Sequence, residues 1–139
     1  VLLLAVGAAG LIRPAWGGIA LVVSTVAGIG LIAVGAWLAL RGSRDLRGAL
    51  TPLPHPRHDA QLVESGIYAR VRHPIYGGVI LGAFGWGLLT ASLVSLALAV
   101  VTAAFFRLKS TREEAWLMEA YPEYAAYRHR TRRFIPWIG

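Results

Sequence analysis

Hydrophobic positions in this chain come in long unbroken blocks, separated by short segments that hold nearly all of the charge. Residues 18–40 form the clearest block, twenty-three positions without a charged side chain. Such a run crosses a hydrocarbon core of about 30 Å as a helix with some tilt, and it is read as the second membrane helix. Gly28, Gly30 and Gly35, with Ser24 and Thr25, let a neighbouring helix approach its backbone closely. Residues 74–106 are again uncharged over thirty-three positions, with one weak polar break at Thr90-Ala91-Ser92. The break predicts a tight helical hairpin whose arms, of about sixteen residues each, lie at the short limit for a full crossing; a single long tilted helix is the alternative. The first block, residues 1–12, makes only about 18 Å of helix, which predicts a first span clipped at its N-terminal end. A signal peptide fits less well, because Arg13-Pro14-Ala15-Trp16 is a poor cleavage site and another apolar helix follows at once.

The segments between the blocks read differently. Arg41, Arg44 and Arg47 end the second helix at the interface, and Pro52, Pro54 and Pro56 forbid regular helix through residues 51–58. After Arg107 the pattern becomes that of an amphipathic helix with Arg112, Glu113, Glu114, Trp116, Leu117, Met118 and Tyr121, until Pro122 kinks or restarts it. The restarted stretch puts Tyr124 and Arg128 four apart on one face with Tyr127 beside them, and Trp137 and Ile138 form an interfacial anchor. The expected fold is all-α: a polytopic transmembrane bundle of about four membrane helices, near 1–12, 18–40, 74–90 and 91–106, the last two a hairpin. A cytosolic C-terminal helical segment completes a single domain over residues 1–139, with no internal repeat.

Composition changes this picture in one respect. Fourteen Lys and Arg against seven Asp and Glu leave a net charge of +7, a balance that in a soluble protein would suggest nucleic acid. Six of those cations lie within residues 41–73, seven within 107–139, and only Arg13 falls elsewhere. Basic segments flanking apolar blocks follow the positive-inside rule, so the expected partner is the lipid bilayer, with no nucleic acid, and the basic segments face the cytosol. Fifty-six per cent hydrophobic residues and a mean hydropathy of +0.57 agree with a membrane class. The absence of cysteine excludes disulfides and thiolate chemistry.

Three constellations can carry chemistry. The first is Gly66-Ile67-Tyr68 followed by Val71-Arg72-His73-Pro74-Ile75-Tyr76 and Gly77-Gly78. Pro74 suits the first position of a helix, which makes His73 its cap and leaves a helix N-terminus favourable to an anion near Arg72; Arg72 and His73 equally suit head-group anchoring. The second is Glu113-Glu114, adjacent carboxylates at the membrane border. Consecutive helical residues point about 100° apart, so one faces inward while the other meets solvent or an arginine; a solvated helix with Lys109 or Arg112 as partner is the plainer reading. The third gathers Tyr121, Tyr124, Tyr127, Arg128, Thr131, Arg133, Phe134 and Pro136, which offer ring faces and cations beside an apolar slot, or an aromatic belt. His55 and His58 have the spacing of a metal pair, but the surrounding prolines prevent a helix that would align them, and no metal site is expected.

In this order the three constellations resemble the isoprenylcysteine carboxyl methyltransferase family and its phospholipid methyltransferase relatives. The likeness covers residues 50–138 and rests on Gly66 and Tyr68; Arg72, His73, Pro74, Tyr76 and Gly78; Glu113 and Glu114; and Tyr124, Tyr127, Arg133, Phe134 and Pro136. The resemblance implies an S-adenosylmethionine-dependent membrane enzyme with its cofactor pocket on the cytosolic side, built from residues 62–138 and covered by the C-terminal segment. It implies that Tyr68, Val71, Arg72, His73, Pro74 and Tyr76 line the cofactor, that Glu113 or Glu114 holds its ammonium group, and that Tyr124 and Arg128 close the pocket. Arg128 or Arg133 would then fix an anionic acceptor, whereas an amine acceptor would need a base such as Glu113. A chain rich in Ala, Gly and Arg with a single Lys has the composition of a GC-rich prokaryotic genome, where prenylated proteins are not expected. The acceptor, lipophilic or small, is therefore left open among carboxylates, amines and thiols. Two rivals stand beside this reading. Membrane sterol reductases carry a similar Arg-His-Pro-x-Tyr region, with Arg70, Arg130 and Arg132 available for a nicotinamide cofactor's phosphate; a non-enzymatic membrane subunit is the other.

Overall fold

The computed structural model describes residues 1–11, 15–46 and 62–136. Among these the regular elements are helical: α1 (Leu2–Ala9), α2 (Gly18–Leu46), a 3-10 turn (Gly66–Ala69), α3 (Pro74–Leu89), α4 (Leu93–Ala120) and α5 (Tyr124–Arg130). The proline-rich loop, with His55 and His58, and the terminal Trp137 and Ile138 lie outside the described residues. Helices α2 and α4 are long and apolar enough to cross a membrane, while α3 is a shorter apolar helix of 16 residues. Val22, Val26, Ile29 and Trp37 on α2 and Val100, Val101 and Phe105 on α4 stand exposed. Apolar surface of that kind is at home in lipid, where only helices and closed barrels satisfy their own backbone.

The expected hairpin forms, and the single-long-helix alternative does not: α3 ends at Leu89, Ala91 takes φ +49°, and Ser92 accepts from the Ser95 amide at 3.2 Å to start α4. Two boundaries differ from the sequence expectation. Helix α2 continues past Leu40 to Leu46, and α4 runs unbroken through Arg107 to Ala120, so the amphipathic segment is its continuation and not a separate helix. A change from apolar to charged side chains marks a change of solvent, whereas Arg, Lys and Glu remain good helix formers. Pro122 does restart the chain, between Ala120 and Tyr124.

A glycine seam sets how closely α2 and α3 approach. A Cβ on Gly28 would stand 2.6 Å from the Gly85 carbonyl oxygen, one on Gly35 would stand 2.6 Å from that of Gly78, and one on Gly42 would stand 2.8 Å from Pro74 Cγ. The seven-residue spacing keeps these positions on one face of α2, and the reversed order on α3 makes the pair antiparallel. Gly30, expected to share in this packing, has nothing within 4 Å of such a Cβ. Gly35→Ala is therefore expected to destabilise by about 1–3 kcal/mol through overpacking. Gly30→Ala should be neutral or slightly stabilising, since Ala is the better helix former. Thermal unfolding of both variants in detergent checks the contrast.

The far end of the hairpin is tied to α1 by side chains that donate to its carbonyls. Ser92 Oγ donates to Ala9 O and Ser95 Oγ to Val6 O, each at 2.9 Å, and Trp86 Nε1 donates to Gly7 O at 3.3 Å. Such interhelical bonds replace the hydration that lipid does not supply. The opposite end, where α2 finishes and α3 begins at Gly42 and Pro74, carries the charged residues of the three constellations.

Candidate functional site

His73 is the N-cap of α3 and Pro74 its first residue, as the Arg-His-Pro sequence predicts. Just before them residues 70–73 run beside residues 132–133 in a short parallel pairing. Arg72 N donates to Arg132 O at 2.8 Å, Arg132 N to Arg70 O at 2.8 Å, and His73 N to Arg133 O at 2.9 Å. The pairing lays the C-terminal strap across the start of α3, so closely that a Cβ on Gly77 would collide with the Phe134 carbonyl. The two motif glycines thus serve different neighbours, Gly77 the strap and Gly78 helix α2. A second clasp joins Tyr127 Oη, which donates to Tyr68 O at 2.7 Å.

At the centre of this junction is Glu114, whose side chain is 2% exposed. Its Oε1 accepts from Arg72 Nε at 2.9 Å and lies 3.2 Å from His73 Nε2; its Oε2 accepts from Arg133 at 2.9 Å and lies 3.6 Å from Arg128 Nε. Burial of a carboxylate is tolerable only with such pairing. Arg72 also donates from Nη1 to the backbone oxygens of Arg128 and Thr131 and to Thr131 Oγ1, and Arg133 reaches Thr111 Oγ1 at 3.0 Å. One carboxylate on α4 thereby gathers the Arg-His-Pro segment and the C-terminal strap.

Glu113 takes the other side, as expected of adjacent helical residues. It is 29% exposed, accepts from Tyr76 Oη at 2.8 Å, and lies 3.5 Å from Lys109 and 3.7 Å from His73 Nδ1. The rings of His73 and Tyr76 stack at 5.3 Å with 4° between their planes, Phe106 packs on Tyr76 at 4.7 Å, and Lys109 Nζ stands 5.3 Å from the Tyr76 centroid. Phe134 closes on His73 at 6.2 Å. The result is an aromatic shelf edged by a carboxylate and a lysine, beside a cluster of arginines.

Not every anticipated site residue presents its side chain here. Val71 and Pro74 are buried, Pro74 against Gly42, and Tyr68 packs with Leu38 and Ile67. Tyr124 is 1% exposed, stacks edge-on to Tyr127 at 5.6 Å, and its hydroxyl is buried without a hydrogen-bond partner. Burial, with the charge of Glu114 next in importance, pushes the Tyr124 phenol up to about 12; burial, then Asp45, pushes Tyr68 up to about 12. Burial likewise raises Tyr127. All three phenols stay protonated at ordinary pH. Phe106 escaped sequence reasoning, although its place three residues before Lys109 and seven before Glu113 puts the three on one helical face. Asp45 also escaped it; its carboxylate accepts the Ile67 amide at 2.7 Å.

This geometry can be set beside known proteins. The family profile for phospholipid methyltransferases matches residues 23–124, well over half of the chain. The chain belongs to the phospholipid methyltransferase family. With two apolar helices of membrane length, this family member is a membrane protein. It is 40% identical over 82 residues to the protein-S-isoprenylcysteine O-methyltransferase of Schizosaccharomyces pombe, a match over 58% of this chain and 35% of that protein. It is 38% identical over 84 residues to the cobalt-zinc-cadmium resistance protein CzcN of Cupriavidus metallidurans, and 32% identical over 84 residues to the nickel-cobalt-cadmium resistance protein NccN of Alcaligenes xylosoxydans. Each of these two matches covers 60% of this chain and 39% of the relative. The matched regions thus make up between 35% and 39% of the length of these curated relatives. No solved structure matches the chain significantly.

Proposed function

We propose that this family member catalyses S-adenosylmethionine-dependent methyl transfer at the basic end of its helical bundle. The observation that carries the proposal is the Glu114 junction, which draws the Arg-His-Pro segment, the Glu-Glu pair and the C-terminal strap into one cluster. The side chains there suit the cofactor's chemistry. The buried, unpartnered Tyr124 hydroxyl marks a polar position still lacking its bond. Around the two carboxylates stand Arg72, Arg128, Arg133 and Lys109, a surplus of cations suited to a ligand carboxylate.

Bound S-adenosylmethionine supplies a methyl group activated on a sulfonium. The chain's own residues hold and align. Glu114 has both oxygens engaged by four cationic or histidine partners, so Glu113, on the accessible side, is the carboxylate proposed to take the cofactor's ammonium group. His73, Tyr76 and Phe106 offer the aromatic shelf, and Tyr68, Val71 and Pro74 act from behind it by holding the backbone in place. Arg72 and Arg133 are committed to Glu114 and position the strap. Arg128, 45% exposed and only 3.6 Å from Glu114, is the arginine free enough to turn to an anionic acceptor. A displacement that neutralises charge gains mainly from alignment and from exclusion of water, which a buried ion cluster under a strap provides.

The same reading extends to topology and substrate. Arg41 and Arg44 end α2 on the side where Arg107, Lys109 and Arg112 leave the apolar part of α4, so this face is assigned to the cytosol. In this reading α1 to α4 supply the four membrane segments. The lipophilic acceptor enters from the bilayer past the exposed Phe105. Two relatives are named for metal resistance, whereas the two carboxylates gathered here already face Arg72, Arg128, Arg133 and Lys109. Calorimetric titration of the detergent-solubilised protein with S-adenosylmethionine, S-adenosylhomocysteine and NADPH tests the reading. Binding of the first two alone is expected; binding of NADPH alone would assign a reductase, and no binding would leave a non-enzymatic membrane subunit.

A further inference from the structure

Asp45 stands where local physics disfavours it. It lies in the last turn of α2, where the helix dipole is negative and an acidic side chain is destabilising by up to about 1 kcal/mol. Its local ion pair, with Arg41 four residues earlier at 3.2 Å, has the less favourable order of charges for an i,i+4 pair, and Arg41 is 52% exposed. A tertiary partner explains the residue better. Asp45 Oδ2 accepts the backbone N–H of Ile67 at 2.7 Å, across twenty-two positions of sequence. Gly66 adopts φ +61°, a conformation that L side chains rarely take, and a Cβ there would strike the Asp45 carboxylate.

The turn so fixed feeds directly into the site. Ile67 and Tyr68 are buried against Leu38, and the Tyr68 carbonyl accepts from Tyr127 of α5. Three residues on, Val71 lies in the pairing with the strap, followed by Arg72 and its contact with Glu114. Asp45 therefore links the end of α2 to the segment that presents Arg72 and His73. We propose that Asp45 is a positioning residue: its carboxylate on the Ile67 amide sets the Gly66–Ala69 turn and, through it, the register of the Arg-His-Pro segment against the strap. This rests on the functional reading above only for its effect on the cofactor.

The test pairs amide hydrogen exchange of residues 62–71 with S-adenosylhomocysteine affinity, measured on the whole protein in detergent. Asp45→Ala should speed exchange at Ile67 by about tenfold and weaken the ligand by about tenfold, since a hydrogen bond to a charged acceptor is lost. Asp45→Asn, which keeps an acceptor oxygen, should restore most of both losses, and Arg41→Ala should change neither. Gly66→Ala, which forces the same turn from the other side, should reproduce the Asp45→Ala effect and serves if that variant fails to fold. Unchanged exchange at Ile67 in Asp45→Ala, or an equal loss in Arg41→Ala, would overturn the proposal. Asp45-dependent exchange in a wild-type protein that binds no cofactor would support the turn's anchoring and sink the methyl-transfer reading instead.

Discussion

Glu114→Ala is expected to lose cofactor binding entirely and to lower stability by about 3–5 kcal/mol, the range for removing one partner of a buried ion cluster. Arg72 and Arg133, 8% and 15% exposed, would be left facing each other without the carboxylate that separates them. Glu114→Gln keeps the shape but sets an amide N–H₂ against a guanidinium, so it should recover only part of the loss. Glu113→Gln should behave differently. Its ion pair with Lys109 is of the half-exposed kind worth less than about 1 kcal/mol, so stability should hold while cofactor affinity falls. Thermal unfolding and ligand titration on the three variants separate the two glutamates, and equal tolerance of both substitutions would refute the roles assigned to them.

Arg72→Lys should be nearly as damaging as a deletion, because the guanidinium acts as a fork. Its Nε serves Glu114 while Nη1 serves Arg128 O and the carbonyl and hydroxyl of Thr131. A lysine ammonium is a single point charge and cannot span those directions. Each hydrogen bond to a charged group contributes about 1.5–3 kcal/mol, so the strap over residues 128–133 should loosen and cofactor affinity should drop by about a hundredfold. Hydrogen exchange of that segment, compared with the wild type, reads the loosening directly. A lysine variant with an unaltered strap would show that the backbone pairing with Arg132 suffices.

How far the sequence foretells this arrangement depends on the kind of signal. The start of α3 was legible because proline tolerates only the first turn of a helix, and the break at Thr90-Ala91-Ser92 was legible as the one polar interruption in a long apolar run. The ends of α2 and α4 were not, since Arg41 and Arg107 report the edge of the apolar phase and not the end of the backbone helix. That one of Glu113 and Glu114 turns inward follows from helical geometry; which one does so is fixed by the rotation of α4 against α3, a tertiary fact. The pairing of residues 70–73 with 132–133 has no periodic pattern in either stretch and so left no trace. Asp45 is the instructive omission: an acid at the wrong end of a helix was a sign of a distant partner.

The cofactor is proposed to bind where the Arg-His-Pro segment, the Glu-Glu pair and the strap meet. Hydrogen exchange of the wild-type protein in detergent, with and without saturating S-adenosylhomocysteine, tests it most directly. Protection confined to residues 66–76, the Glu113 turn of α4 and residues 124–134 is expected. Protection of none of these, or of the α1 end of the hairpin alone, would contradict it.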